Sequence, residues 1–328
     1  MAFWWHQGLH QSLAHDKSDT YITINTGTTA GAIINQLHQE GILAKPAHVK
    51  LYLKTLGKEI RLQAGDYKFP SPISPVEVLA LLQDGRKRTA TLTLPEGWTR
   101  FEIAARIANR FPGDPPMSEV DVFSLMDQVG PIAEFDPMAR NLEGYLFPTT
   151  YELETDATPT QIVSRLVQEF VKVWEPEWDQ RATELGRSRR EIVTIASLIE
   201  NESKVQGERP IVASVIYNRL ERGIPLGLDA TNVYIAKLLN RWDGTLHKSD
   251  LEVDHPYNTR KIQGLPPGPI CSPSKAALEA ALNPAQTNYL YYVLNVEAAD
   301  GSHHFYENAA GFSRGKAEYQ RWLSTQRQ

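Results

Sequence analysis

The chain contains a single cysteine, Cys271, among its 328 residues. That scarcity excludes an internal disulfide and a cysteine-built metal cluster. It fits a reducing compartment, and equally a bacterial envelope protein that does without disulfides. A long apolar run is also missing, since crossing a bilayer takes about 20 such residues. Residues 1–9 (Met1-Ala2-Phe3-Trp4-Trp5-His6-Gln7-Gly8-Leu9) are apolar and aromatic but far shorter, without the positive segment and long apolar core of a signal peptide. They read as a tail or as the interfacial remnant of a membrane anchor. An excess of positive charge is absent too: 34 Lys and Arg against 39 Asp and Glu leave a net charge of -5. A nucleic-acid partner held through its phosphates is therefore not expected.

Neither a G-x-x-x-x-G-K loop nor a G-x-G-x-x-G turn occurs, which removes the commonest nucleotide-binding readings. Gly311-Phe312-Ser313-Arg314-Gly315 matches a nucleophile elbow, but neither Asp nor His follows Ser313, as that triad order requires. The pair His303-His304 sits in a strand-like segment, where adjacent side chains point to opposite faces, and no H-E-x-x-H accompanies it. No metal and no cofactor are expected; one histidine of the pair, His303, is a candidate for lining a polar cleft.

What is present is an ordinary globular composition, 41% hydrophobic and 22% charged, in a chain long enough for two domains. A strand over Tyr21-Ile22-Thr23-Ile24 leads into Gly27 and a helix through Ile33, Ile34 and Leu37, stopped by Gly41. A helix from Ala47 to Leu56, a short strand or turn at Gly65-Asp66-Tyr67, and a helix through Val76, Val78, Leu79 and Leu82 to Gly85 complete a β-α-α-β-α unit. Arg86-Lys87-Arg88 reads as a solvated connector. The opening pattern then recurs at an offset of 70 residues: Gly97 matches Gly27, Thr99 matches Thr29, Ile103 matches Ile33 and Ile107 matches Leu37.

Further on, the spacing predicts helices near Val120 to Val129, after the Thr158-Pro159-Thr160-Gln161 capping signature, from Pro210 to Arg222, and from Ser274 to Leu282. Leu290 to Leu294 and His303 to Tyr306 predict a strand pair across Asp300-Gly301, before a terminal helix.

The most informative segment is Ile192-Val193-Thr194-Ile195-Ala196-Ser197-Leu198-Ile199-Glu200-Asn201-Glu202-Ser203, opened by the Ser188/Glu191 capping box. It delivers two carboxyls to the end of an apolar helix. At roughly 100° per residue, Glu202 follows Leu198, Ile199 and Ile195, whereas Glu200 follows the less greasy Ala196, Ser197 and Val193. Desolvation raises a carboxyl pKa, so Glu202 is the better proton-donor candidate and Glu200 the reserve. Solvated acids at a helix C-terminus are the plain alternative, opposed by the dipole at about 0.3–1 kcal/mol each. Asp229 precedes a helix through Val233, Tyr234 and Leu238, where stabilising the helix by capping or through its dipole competes with a functional role. Tyr257-Asn258-Thr259 offers an aromatic ring and amides to a sugar, or a simple turn.

Together these residues resemble the endolytic murein transglycosylase (YceG-like) family over nearly the whole chain. The resemblance runs from Ala196-Ser197-Leu198-Ile199-Glu200-Asn201-Glu202 through Glu208-Arg209, Asn218-Arg219-Leu220, Leu228-Asp229 and Tyr257-Asn258-Thr259. It continues through Gly264-Leu265-Pro266-Pro267-Gly268, Asn283-Pro284-Ala285, Gly301, His303 and Phe305. The chain departs from the family pattern at Ala230, where proline is common, and at Arg260, where an aromatic is common.

The resemblance implies an α+β protein: a tail or anchor remnant over residues 1–19, a small LysM-like βααβα subdomain over 20–88, and a larger mixed α/β catalytic domain over 89–328. It implies a lytic transglycosylase that cuts the MurNAc-β-1,4-GlcNAc bond of peptidoglycan glycan strands endolytically, leaves 1,6-anhydro-MurNAc ends and terminates nascent strands. The Glu202-Ser203 pair fits the Glu-Ser or Glu-Thr pattern of lytic transglycosylase acids. Asn218, Asp229, Tyr257, Asn258 and His303 are then expected in the substrate cleft. Peptidoglycan synthases are implied as partners, with a single-pass inner-membrane anchor, absent from this chain, and a periplasmic catalytic part. Two other readings stay open: a glycoside hydrolase of the same polymer with Asp229 assisting water, and a non-catalytic wall-binding scaffold.

Overall fold

The computed structural model describes residues 8–84 and 89–326. Residues 1–7 of the expected anchor remnant, Gly85 as a helix stop and the Arg86-Lys87-Arg88 connector lie outside the described residues. The chain divides into two compact units, Met1–Ala90 with Glu152–Thr155, and Thr91–Tyr151 with Asp156–Gln328.

In the first unit β1 (Ile22–Ile24) pairs antiparallel with β2 (Gly65–Tyr67), Ile22 opposite Tyr67. The alternation in β1 sends Ile22 and Ile24 inward and Thr23 outward. Helices α1 (Ala30–Gln39), α2 (Pro46–Thr55) and α3 (Pro75–Asp84) complete the β-α-α-β-α order read from the sequence. Ile33, Ile34 and Leu37 of α1 join Val49, Tyr67, Phe69, Val78, Leu79 and Leu82 in one core.

A ribbon of β3 (Thr89–Thr93) and β4 (Thr150–Glu154) follows in the element order. The repeated strand-turn-helix device is physical as well as textual. Gly27 and Gly97 both turn with positive φ, at 84° and 75°. Thr29 and Thr99 both cap the helix behind them, and Ile33/Ile103 and Leu37/Ile107 are all fully buried.

The second unit is mostly helical: α4 (Arg100–Arg110), α5 (Glu119–Leu125), α6 (Pro159–Val173), α7 (Pro176–Glu184), α8 (Arg189–Glu202), α9 (Arg209–Glu221), α10 (Asp229–Leu238), α11 (Lys248–Leu251), α12 (Lys275–Leu282) and α13 (Ala309–Gln326), with a hairpin of β5 (Tyr291–Leu294) and β6 (His303–Tyr306). The capping boxes at Thr158/Gln161 and Ser188/Glu191 both form. Helix α5 ends at Leu125, short of Val129, because the chain turns there into a 3-10 segment over Gly130–Ile132. Helix α7 was not anticipated; only Trp178 and Ala182 of its residues are buried, too few to set up a periodic apolar stripe.

Helix α8 lies at the centre of the second unit. Every residue from Ile192 to Ile199 is buried, as befits a helix covered on all sides, and it packs on α9, α12, α10 and α7. The loop before β4 crosses it closely at Gly144, whose φ is 83° and where a Cβ would come within 2.4 Å of Pro269. Only glycine fits that crossing. The architecture is the expected α+β class.

Candidate active site

Helix α8 ends in the two carboxyls singled out above, and their surroundings differ sharply. Glu200 is nearly covered, its side chain 6% exposed, and both oxygens are engaged. Oε1 accepts from the Arg209 guanidinium at 2.9 Å. Oε2 accepts from the Ser274 backbone N–H at 2.9 Å and from its hydroxyl. Ser274 caps α12, and Arg209 also donates to its hydroxyl at 3.0 Å. Glu200 therefore fastens α8 to the starts of α9 and α12.

Glu202 has no such clamp. It is half-buried on the wall of an open hollow of about 230 Å³, lined also by Ile216, Arg219, Leu228, Asp229, Arg260 and Tyr292. The Tyr292 hydroxyl donates to its Oε2 at 2.8 Å. Burial raises the Glu202 carboxyl above its usual range; the Tyr292 hydrogen bond, the His303 charge and the Ala230 N–H oppose that, while the Asp229 charge adds to it. Both residues are half-buried, and their partners separate them: Glu200 has a cationic partner, whereas Glu202 has neutral donors and is raised by burial.

Asp229 is the first residue of α10, whose N-cap is Leu228 without a side-chain cap, so it does not cap the helix, although its place in the first turn suits the helix dipole. Its carboxylate, 61% exposed, is paired with the Arg260 guanidinium at the edge of the hollow. His303 is tied to Glu208 twice, through its backbone N–H and through Nδ1, each at 2.8 Å. Its ring lies edge-on to Tyr292, with centroids 5.3 Å apart. His304, on the opposite strand face, is exposed.

The remaining expected cleft residues are not brought to this hollow. Asn218 spends its amide on the Thr287 and Tyr289 carbonyls, both at 2.9 Å, and lines a separate polar hollow with Ser214, Tyr217 and Glu221. Asn258 is fully buried and donates to the Leu251 and Val253 carbonyls at 3.0 and 2.8 Å. Tyr257 packs on Tyr234, 5.1 Å between centroids, and faces a small pocket beside Glu143 and Arg190. Turn geometry, the competing reading for Tyr257-Asn258-Thr259, accounts for Asn258.

Three residues of the hollow escaped the sequence reading. Tyr292 was findable: counting back through the hairpin puts it on the same face as His303, since Leu294 faces His303 and Tyr292 faces Phe305. Arg219, one helical step from Asn218, donates to the Leu290, Pro225 and Leu226 carbonyls and lies over the Tyr291 ring. Burial lowers its guanidinium pKa. Arg260 had no signal tying it to Asp229. Among the described residues no group of three His, Cys, Asp or Glu could hold a metal ion.

A half-buried carboxyl with neutral donors and no cationic clamp, facing an open hollow, is an arrangement suited to general acid–base chemistry. The model of the YceG-like family matches residues 22–318, and the chain belongs to that family. An "Endolytic murein transglycosylase" of Bacillus subtilis (strain 168) is 31% identical over 310 residues, covering 89% of this chain and 83% of that one. A protein of the same name from Streptococcus pneumoniae serotype 2 is 28% identical over 331 residues, covering 93% of this chain but only 59% of the relative. The crystal structure of a yceG-like protein from Listeria monocytogenes superposes with a TM-score of 0.60 at 28% identity, covering 93% of this chain and 99% of that one.

Proposed function

We propose that this chain is a lytic transglycosylase that cuts murein strands endolytically, with Glu202 as its acid and base. The observation that carries the assignment is the contrast at the end of α8: Glu200 has both oxygens committed, and Glu202 faces the hollow with a carboxyl raised by burial. A carboxyl raised in this way holds its proton to higher pH than an ordinary glutamate, as a general acid requires.

Glycoside cleavage commonly uses two carboxyls flanking the bond. Here one suffices. Glu202 gives its proton to the glycosidic oxygen as the bond from MurNAc C1 to GlcNAc breaks, and the GlcNAc hydroxyl leaves. The resulting carboxylate takes the proton of the muramyl C6 hydroxyl, whose oxygen closes on C1 to form the 1,6-anhydro ring. The nucleophile is carried by the substrate, so no ordered water is required and the entropic cost of bringing it in is small. The Tyr292 hydroxyl steadies the carboxylate between the two steps, and His303 adds its field from the hairpin side.

Asp229, a second carboxylate on the same hollow, supports the rival reading in which it assists a water and the product is a reducing end. Mass spectrometry of digested peptidoglycan separates the two: anhydromuramyl ends from the wild type and none from Glu202→Gln support the proposal, and reducing ends overturn it.

The first unit is proposed as a LysM-like, glycan-binding module on the strength of its β-α-α-β-α order. The substrate lies outside the cytoplasm, and the same reading places the catalytic unit in the periplasm, held to the inner membrane by a single-pass anchor and working beside peptidoglycan synthases. Among the described residues, no helix is long and apolar enough to cross a membrane.

A further inference from the structure

One side of the Glu202 hollow is built where the first turn of α10 meets the loop 257–260, which brings Arg260 to it. Thr259 joins them. Its hydroxyl accepts the Leu228 N–H at 2.9 Å and lies 3.0 Å from the Thr231 hydroxyl, and its carbonyl accepts the Gly227 N–H at 2.9 Å. Thr231 and Thr259 are both fully buried. The adjacent Asn258 anchors the loop from below and accepts the Arg260 N–H at 3.1 Å. The backbone of Arg260 is thereby fixed beside α10, and its guanidinium reaches the Asp229 carboxylate. Both residues line the hollow that Glu202 faces.

An ion pair this exposed adds little to stability. Its consequence lies in the field it sets across the hollow. We propose that Arg260 is a positioning residue of this site: it holds the Asp229 carboxylate at the rim and screens its negative charge from the Glu202 carboxyl. The proposal rests on the reading of Glu202 as the acid. The other groups facing Glu202 each have an anchor elsewhere or act on it directly. Arg219 of α9 is fastened to three carbonyls, His303 of β6 to Glu208, Tyr292 of β5 donates to Glu202 itself, and Ala230 of α10 offers a backbone N–H. Asp229 is the acidic side chain whose charge bears on Glu202, and Arg260 is its partner.

Release of that screening makes Glu202 harder to deprotonate. The test uses the full chain labelled with ¹³C at glutamate carboxyls, with the Glu202 resonance assigned by its loss in Glu202→Gln. Its titration is followed in wild type, Arg260→Gln, Asp229→Asn and the double variant, alongside the pH profile of cleavage of soluble glycan strands. Arg260→Gln is expected to move the Glu202 titration and the alkaline limb of activity to higher pH, raising activity on that limb about threefold. Asp229→Asn is expected to move both to lower pH, and Arg260→Gln added to Asp229→Asn to move them less than it does in wild type. A Glu202 titration unmoved by Arg260→Gln, or moved equally in both backgrounds, overturns the proposal. A titration that shifts as expected while cleavage ignores Glu202→Gln leaves Arg260 in its role and overturns the functional reading instead.

Discussion

Glu143 and Glu202 are two carboxyls of one unit that burial pushes toward neutrality, and only one of them can meet a substrate. Glu143 is 1% exposed, receives the Arg100 N–H at the start of α4 and the Tyr234 hydroxyl, and is pushed up to about 7 by burial against the opposing pull of Arg100. Glu202 is raised by the same cause, yet it opens onto a hollow and is held by a single side-chain donor. A shifted carboxyl is thus a common product of folding. A shifted carboxyl beside free space is a reagent.

The strongest way to break that comparison is to remove the acid. Glu202→Gln, nearly isosteric, is expected to lower cleavage about 10²–10⁴-fold with an unchanged melting temperature, read from anhydromuramyl ends and thermal unfolding. Full activity would end the assignment. Glu200→Ala, by contrast, is expected to act on folding: it leaves the Arg209 guanidinium, 11% exposed, with only the Ser274 hydroxyl and the longer 3.7 Å contact to Glu96, and costs about 3 kcal/mol in denaturant unfolding. Cleavage by the remaining folded molecules should fall less than tenfold, and a loss as deep as that of Glu202→Gln would mean the two roles are reversed.

Glu143 sharpens the comparison through pH. Its folded pKa lies above the unfolded value of 4.5, so the native state binds the extra proton between pH 4.5 and about 7. Its contribution is fully present below pH 4.5 and is lost as pH rises to about 7, amounting to about 3 kcal/mol. Glu143→Gln should flatten the stability profile across that window while cleavage persists; an unchanged slope would show that Glu143 is not the group responsible. The smallest effect is expected from Tyr292→Phe. Loss of a donor that favours the charged form raises Glu202 further and moves the alkaline limb of activity upward. A downward movement would contradict the hydrogen bond's direction.

Local chemistry was legible in the sequence wherever neighbours in the chain decide the outcome. The capping residues Thr99, Thr158 and Ser188 and the turn at Gly97 all depend on contacts within a few residues. The place of Glu202 at the polar end of an apolar helix was legible for the same reason. What could not be read was direction. Asn218 and Asn258 have the amides a sugar site wants, but those amides point at backbone carbonyls from segments that arrive through tertiary packing. Tyr292 and Arg260 matter through partners 90 and 31 residues away, and no local pattern reports such meetings. Helix α7 shows the converse limit, a helix whose few buried residues leave no periodic trace.

Between the two acids sits Asn201, whose amide donates to the sulfur of Cys271 at 2.9 Å. That thiol is fully buried, donates to the Ser197 carbonyl, and is kept protonated by its apolar surroundings. As long as α8 stays seated, the protein presents no thiolate to an alkylating agent. The lone thiol is consequently a built-in clock for that joint: its rate of capture by a thiol reagent counts how often the end of the helix lifts away, and cysteines introduced elsewhere can carry probes without competition from it.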